Sequence, residues 1–457
     1  MVSADLTSRL SSYVAGLTAD DIPAPVIAHA RLMLADTIGV ALAGTGENSA
    51  RIVMKALGRE TGPCAVWGTR DTASPSAAAQ INGALAHALD YDDNNMSMIG
   101  HSSAPVVPAL LALADTADVS LLDIIVAYVA GVQVESVLGR IATLEHNARG
   151  WHTTSTLGSF GAAAACARLK ALAAGPTADA LAITASFASG LKHNFGTTTK
   201  PLHAGMAARN GLLAADLAAA GMAANPLAVE GDQGFLSLYA GIPPKDQKLL
   251  EGALSGFEIL QSFPKIYPTC SMVHQLLDLA IDGLASQRIQ AGQIENVTCS
   301  VSYHAASIMN YPQPRNPTEC RFSIEYCVAV ALCHGTVANK YFDEAVIHDP
   351  AVREMMTRIK LVIPPEQSDK ERFEAAYLKG EAKSWLEVEQ RDGSVFKEGE
   401  ALQKGHPDNP VGAAEIREKF MACATVALSA NAAEALWRRL VEDDPAVRFK
   451  PAEALRN

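Results

Sequence analysis

Residues 155–173 read STLGSFGAAAACARLKALA, and residues 201–222 read PLHAGMAARNGLLAADLAAAGM. Both set Ala and Leu at the three-to-four spacing of a helix, with few β-branched residues and no strand-like alternation. Working outward, Pro25 to Ala43, Ser120 to Arg140 and Ala178 to Leu191 repeat the pattern, so residues 1–264 are expected to form a large all-helical domain. After Tyr267 the texture changes. Val297, Cys299, Val301 and Tyr303 alternate with Thr298, Ser300 and Ser302, the pattern of a half-buried strand. Ile359 to Ile363 is a short, mostly apolar run ended by Pro364 and Pro365. Trp385 to Gln390, then Arg391-Asp392-Gly393-Ser394, then Val395-Phe396 predict a hairpin, because Asp-Gly accepts the positive φ of a tight turn. The expected fold is therefore mainly α. It has a helical domain over 1–264, a smaller α+β domain over 265–400, and C-terminal helices over 401–457 packing back on the first domain.

The chain has 457 residues, 49% hydrophobic and 19% charged, a balance that folds rather than staying disordered. Its 37 Lys and Arg against 49 Asp and Glu leave a net charge of −12, with no basic run, so nucleic acid is excluded as a main partner. Asn94 to Ala114 lacks charged residues but holds Asn, Ser, His and two prolines, so no membrane span is expected there. The opening MVSADLTSRLSSYVAG lacks a basic stretch followed by an apolar one, and the eight cysteines are scattered without a CxxC. A cytoplasmic protein with reduced thiols is expected.

Three segments put a protonatable or cationic side chain at the entrance of a helix. His101-Ser102-Ser103-Ala104-Pro105 precedes an apolar helix that Ser102 or Ser103 can cap. His152 sits in Gly150-Trp151-His152-Thr153-Thr154-Ser155. Lys200 follows Thr197-Thr198-Thr199 and precedes Pro201, which is expected to hold Lys200 at or just before the cap. A helix entrance offers unpaired N–H groups and partial positive charge, so three that converge make an anion pocket without a metal. Upstream lies His87-Ala88-Leu89-Asp90-Tyr91-Asp92-Asp93-Asn94-Asn95, whose carboxylates can orient a histidine, act as acid or base, or bind a hard cation, although no HxxxH or EF-hand spacing supports a metal. In the second half, Cys270 and His274 can share a helix face, and Tyr311 lies in a proline-bounded loop with Arg315.

Several motifs are missing. Gly44-Thr45-Gly46-Glu47-Asn48-Ser49 lacks the third glycine of a dinucleotide fingerprint, and no phosphate loop occurs. Gly100-His101-Ser102-Ser103-Ala104 only partly matches a nucleophile elbow, which leaves a serine hydrolase, or a non-catalytic carboxylate-binding protein, as the alternative of another class.

Taken together, the segments resemble the MmgE/PrpD family of cofactor-independent 2-methylcitrate dehydratases, cis-aconitate decarboxylases and iminodisuccinate epimerases. The resemblance rests on His87 to Asp93 followed by His101 to Pro108, on Gly150 to Gly158, on Lys200-Pro201-Leu202-His203-Ala204-Gly205, and on Glu230-Gly231 through Phe235. It continues through Tyr267-Pro268 with His274, and Tyr311 with Cys320-Arg321-Phe322-Ser323. It implies a homodimer with no cofactor and no metal, a small anionic carboxylate as substrate, and a pocket between the two domains.

By that resemblance His101, Lys200, His152, Asp90 and Tyr311 are the expected catalytic residues. Asp93, Asn94, Ser102, Ser103, Thr199, Cys270 and His274 are the expected substrate contacts. The expected reaction is a lyase step, dehydration or decarboxylation, with epimerisation of a dicarboxylate as the alternative. Lys200 and His152 would hold carboxylates, and His101, oriented by Asp90 or Asp93, would move the proton. Tyr311 would serve the opposite face. His193 and His203 are read as structural.

Overall fold

The computed structural model describes residues 5–58, 61–247, 252–373, 382–400 and 402–456. These fall into two compact units. One comprises Met1–Asn194, Thr198–Pro264 and Gly412–Asn457, the other Phe195–Thr197 and Lys265–Val411. Residue 401, where the tail was expected to begin, lies outside the described residues, and the chain returns to the first unit at Gly412.

Among the described residues, the part of the first unit before the tail holds α1 Asp5–Gly16, α2 Ala24–Gly44, α3 Asn48–Leu57, α4 Pro75–His87, α5 Ser103–Ala114, α6 Leu121–Ala148, α7 Thr153–Leu169, α8 Ala174–Ala185 and α9 Thr199–Ala219. Small residues let them cross closely. A Cβ on Gly205 of α9 would lie 2.1 Å from the Gln80 carbonyl oxygen of α4, and one on Gly131 of α6 would lie 2.6 Å from the Gly161 carbonyl oxygen of α7. Any side chain at either position would push the helices apart and open a cavity. Every residue of α5 is buried, so it shows no polar face. Ala24–Gly44 and Leu121–Ala142 are long and apolar enough to cross a membrane, yet 78% and 89% of those stretches are buried inside the protein, as in core helices. Two short antiparallel pairs complete this part: β1 Cys64–Ala65 with β2 Thr72–Ala73, and β3 Asn94–Asn95 with β4 Ser262–Phe263. The tail helix Ala413–Ala424 lies on α2, where Phe420 leaves no room for a Cβ on Gly39 and Lys419 pairs with buried Asp36 at 2.7 Å.

The second unit holds α10 His274–Ala285 and a four-stranded sheet of β5 Ile294–Ser300, β6 Ile359–Val362, β7 Ser384–Gln390 and β8 Val395–Glu400. The order is β6-β5-β7-β8, with only β5 and β6 parallel. The β7–β8 hairpin turns at Gly393, φ +84°, where Asp392 accepts from the Ser394 amide. The strand expected to run to Tyr303 ends at Ser300. The Ser302 hydroxyl accepts the Ala305 amide and caps a short helix, Tyr303–Ile308, so Tyr303 leaves the sheet pattern.

Candidate active site

The loop from α4 to α5 carries most of the chemistry of the first unit, and its backbone is held in unusual shape. Asp90 and Ile99, neither of them glycine, adopt left-handed φ of +51° and +47°. Such conformations cost roughly 1–3 kcal/mol and persist only where surrounding contacts enforce them. Here the anchor is Asp93. Its carboxylate accepts from the Ser102 hydroxyl at 3.0 Å, the Ser103 hydroxyl at 2.5 Å and the Ser103 amide at 3.2 Å. Tyr128 of α6 contacts the Ser103 hydroxyl in turn.

These contacts revise three expectations. Neither serine caps α5 with its own side chain; Asp93 caps it from the preceding loop. Ser102, Ser103 and Asp93 are fully buried and hydrogen-bonded to one another, so neither Ser102 nor Ser103 is presented as an exposed nucleophile. Burial pushes the Asp93 carboxyl up to about 7, against the lowering effect of the Ser103 hydrogen bonds. The side chain of Asp93 does not orient His101. His101 Nδ1 lies 2.8 Å from the Asp93 backbone carbonyl, an acceptor only, so Nδ1 carries the hydrogen. Nε2 is then the nitrogen that gains or loses a proton, and it lies 3.6 Å from Asp90 Oδ1.

The three helix entrances meet here. Lys200 Nζ lies 2.5 Å from Asp90 Oδ1, both side chains buried. Lys200 is not ahead of the cap but in the first turn of α9, which starts at Thr199. Pro201 is tolerated there because a first-turn amide has no helical acceptor to lose. His152 is the N-cap residue of α7 without a side-chain capping bond, and its ring stacks on His87 at 5.6 Å. His87, in the last turn of α4, meets His101 edge-on at 4.5 Å and places Nδ1 2.8 Å from Asp92. The α7 entrance also grips the loop: Thr154 Oγ1 accepts the His101 amide, and the Thr153 hydroxyl donates to the Ile99 carbonyl.

Burial, then Lys200 and the neighbouring histidines, hold the His152 imidazole well below its usual range. His87 is lowered by burial too, with Asp92 opposing. Asn94, in β3, is buried, and its side-chain nitrogen has no hydrogen-bond partner among the described residues. Thr199 is half-buried at the start of α9. His87, Asp90, Asp92 and His101 bring one donor atom each within 4.8 Å of one another, a set that can hold a divalent cation. The Lys200 ammonium already supplies positive charge at Asp90.

Two members of this cluster, His87 and Asp92, lie in the sequence motif but were not among the expected site residues; their signal was the spacing His87-x-x-Asp90-x-Asp92. The other expected residues belong to the second unit. Tyr311 donates its hydroxyl to the Phe195 carbonyl at 3.0 Å, its ring against Gly196, φ +76°, where a Cβ would lie 2.4 Å away. Cys270 is buried in the apolar core with Val273, Leu276 and Leu277. His274 does not share a helix face with it, since Ser271–Val273 form a tight turn and α10 begins at His274.

A mainly helical unit with a buried cluster of histidines, carboxylates and one lysine is the class of protein that this fold and site define. The chain belongs to the MmgE/PrpD family: the MmgE/PrpD N-terminal domain matches residues 8–248 and the MmgE/PrpD C-terminal domain matches residues 267–442. It is 27% identical over 453 residues to cis-aconitate decarboxylase of Mus musculus, covering 95% of this chain and 90% of that protein. It is 28% identical over 452 residues to the Homo sapiens cis-aconitate decarboxylase, covering 95% and 91%. The cis-aconitate decarboxylase of Aspergillus terreus is 28% identical over 367 residues, 74% of each chain.

Proposed function

We propose that the protein is a lyase that decarboxylates cis-aconitate or a closely similar tricarboxylate. The observation that carries this reading is the convergence of Lys200, Asp90, His101 and His152 in one buried cluster of an acidic protein. The names of its relatives supply the substrate.

Loss of CO₂ from the methylene carboxylate of such an acid leaves its bonding pair on an allylic carbon. The pair moves across the double bond to the carbon next to another carboxylate, where one proton is taken up. The protein must therefore hold the remaining carboxylates and deliver one proton. Lys200 and His152 suit the first task, each well-aimed donor contributing a few kcal/mol to the charged transition state. His101 suits the second: Nδ1–H is committed to the Asp93 carbonyl, and a proton on Nε2 has Asp90 as a nearby countercharge.

The test is proton NMR of the protein in D₂O with cis-aconitate, 2-methylcitrate and iminodisuccinate in separate tubes, before and after EDTA treatment. Loss of CO₂ from cis-aconitate with one deuterium incorporated is expected. Loss of water from 2-methylcitrate, or α-deuteration of iminodisuccinate without net loss, would replace decarboxylation by dehydration or epimerisation. Activity lost with EDTA and restored by a divalent cation would assign His87, Asp90, Asp92 and His101 to a metal.

A further inference from the structure

His203 lies next to the cluster. Its Nδ1 is 3.0 Å from Nδ1 of His152, and the rings are 5.3 Å apart. Two ring nitrogens at that distance bond only if one carries the hydrogen and the other the lone pair, so each ring dictates the tautomer of its neighbour. The backbone holds the pair together. The Gly190 carbonyl accepts the His152 amide, a Cβ on Gly190 would lie 3.5 Å from Cγ of His203, and the Ser155 hydroxyl donates to the His203 carbonyl. Lys200 and His203, three residues apart on α9, face the cluster together.

We propose that His203 is a positioning residue: its Nδ1–H donates to His152 Nδ1 and so holds His152 as the tautomer with hydrogen on Nε2, a donor to a substrate carboxylate. The choice between the two tautomers rests on the reading of the substrate as an anion. With Nδ1 engaged by His203, a substrate carboxylate held by His152 would meet Nε2. A lone pair there would repel a carboxylate, whereas N–H donates to it. Among the described residues, the charged and titratable groups acting on His152 include Lys200 and His203 from α9, His87 from α4, and His101 ahead of α5. Burial, with His87 and Lys200, holds His203 down at about 4, so near neutral pH the pair shares one hydrogen and carries no charge.

The test compares two nearly isosteric replacements in the full chain. His203→Asn keeps an N–H near the position of Nδ1; His203→Asp offers a carboxylate that accepts only. Two-bond ¹H–¹⁵N spectra of histidine-labelled protein, assigned by loss of signals in His152→Gln, read the tautomer without reference to activity. The expected result is hydrogen on Nε2 of His152 in the parent and in His203→Asn, and on Nδ1 in His203→Asp at neutral pH. With cis-aconitate, His203→Asn should stay within about threefold of the parent kcat/KM, while His203→Asp falls about tenfold or more, mainly in KM. His203→Asp should recover as the pH falls, because a second proton restores the Nε2–H. Hydrogen on Nδ1 of His152 in the parent, or the same His152 tautomer in all three proteins, would overturn the assignment. So would equal losses in the two variants with no recovery at low pH. A parent inert toward every acid tested would sink the proposed activity, while the spectra still decide the tautomer.

Discussion

The two units contain the same kinds of side chain and use them differently. In the first, titratable groups face one another: Lys200 pairs with Asp90, His87 with Asp92, and His152 with His203. In the second, Tyr267 donates to Asp278 at 2.7 Å, His274 packs edge-on against the Tyr267 ring at 5.1 Å, and Cys270 joins an apolar core. Residue type therefore does not make a site. In the first unit these groups lie close enough that a proton added to one changes the energy of its neighbours; in the second, the three residues named hold a hydrogen bond, a ring contact and a place in the core.

The largest expected effect breaks the first cluster at its charge pair. Lys200→Met should remove about 10³-fold or more of turnover and cost about 3–5 kcal/mol of stability, because it strands a buried Asp90 carboxylate. Adding Asp90→Asn should return most of the stability and none of the turnover, which melting curves and kcat on the same samples can separate. Recovery of turnover in the double variant would mean that Lys200 serves folding alone.

Next comes His101→Asn. Its amide can still donate to the Asp93 carbonyl but has no counterpart of Nε2, so kcat should fall about 10²–10³-fold while the melting temperature barely moves. A loss confined to KM would make His101 a binding group and not the proton donor.

Asp93→Asn sharpens the comparison through pH. The folded protein binds a proton at Asp93 more tightly than the unfolded chain does, since burial raises that carboxyl to about 7. The stabilisation is complete below about pH 4 and is lost as the pH rises to about 7. His203, depressed to about 4, has the opposite sign, losing stability as pH falls from about 6.5. The difference in melting temperature between parent and Asp93→Asn isolates the first effect. It should shift in favour of the variant from pH 4 to 7, and a flat difference would show that Asp93 titrates normally.

The smallest effect is expected in the second unit. Cys270→Ala should cost about 1 kcal/mol of stability, the scale of a small buried side chain, and change kcat/KM less than threefold. A tenfold loss of kcat/KM at unchanged stability would restore Cys270 as a substrate contact.

Much of the local structure was legible from single segments. The spacing of Ala and Leu predicted α7 and α9, the Asp392-Gly393 turn predicted the β7–β8 hairpin, and helix entrances singled out His101, His152 and Lys200. Reading stopped where a residue's role depends on a distant partner. Ser103 looked like a self-sufficient cap, yet Asp93, ten residues earlier, does the capping. Pro201 was expected to hold Lys200 at or just before the cap, yet α9 already begins at Thr199 and both residues sit in its first turn. The contact of His203 with His152, 51 residues away, was likewise invisible in the sequence.

The sequence by itself determined the helices, the hairpin and the residue types available for proton transfer, because these follow from periodicity and from preferences acting over a few neighbours. Only the tertiary structure decided which groups share a proton or a charge. Lys200 and Asp90 are 110 residues apart in the chain and 2.5 Å apart in space. Coulombic and hydrogen-bond energies depend on that second distance and on the water excluded around it, and neither is written in the order of the residues.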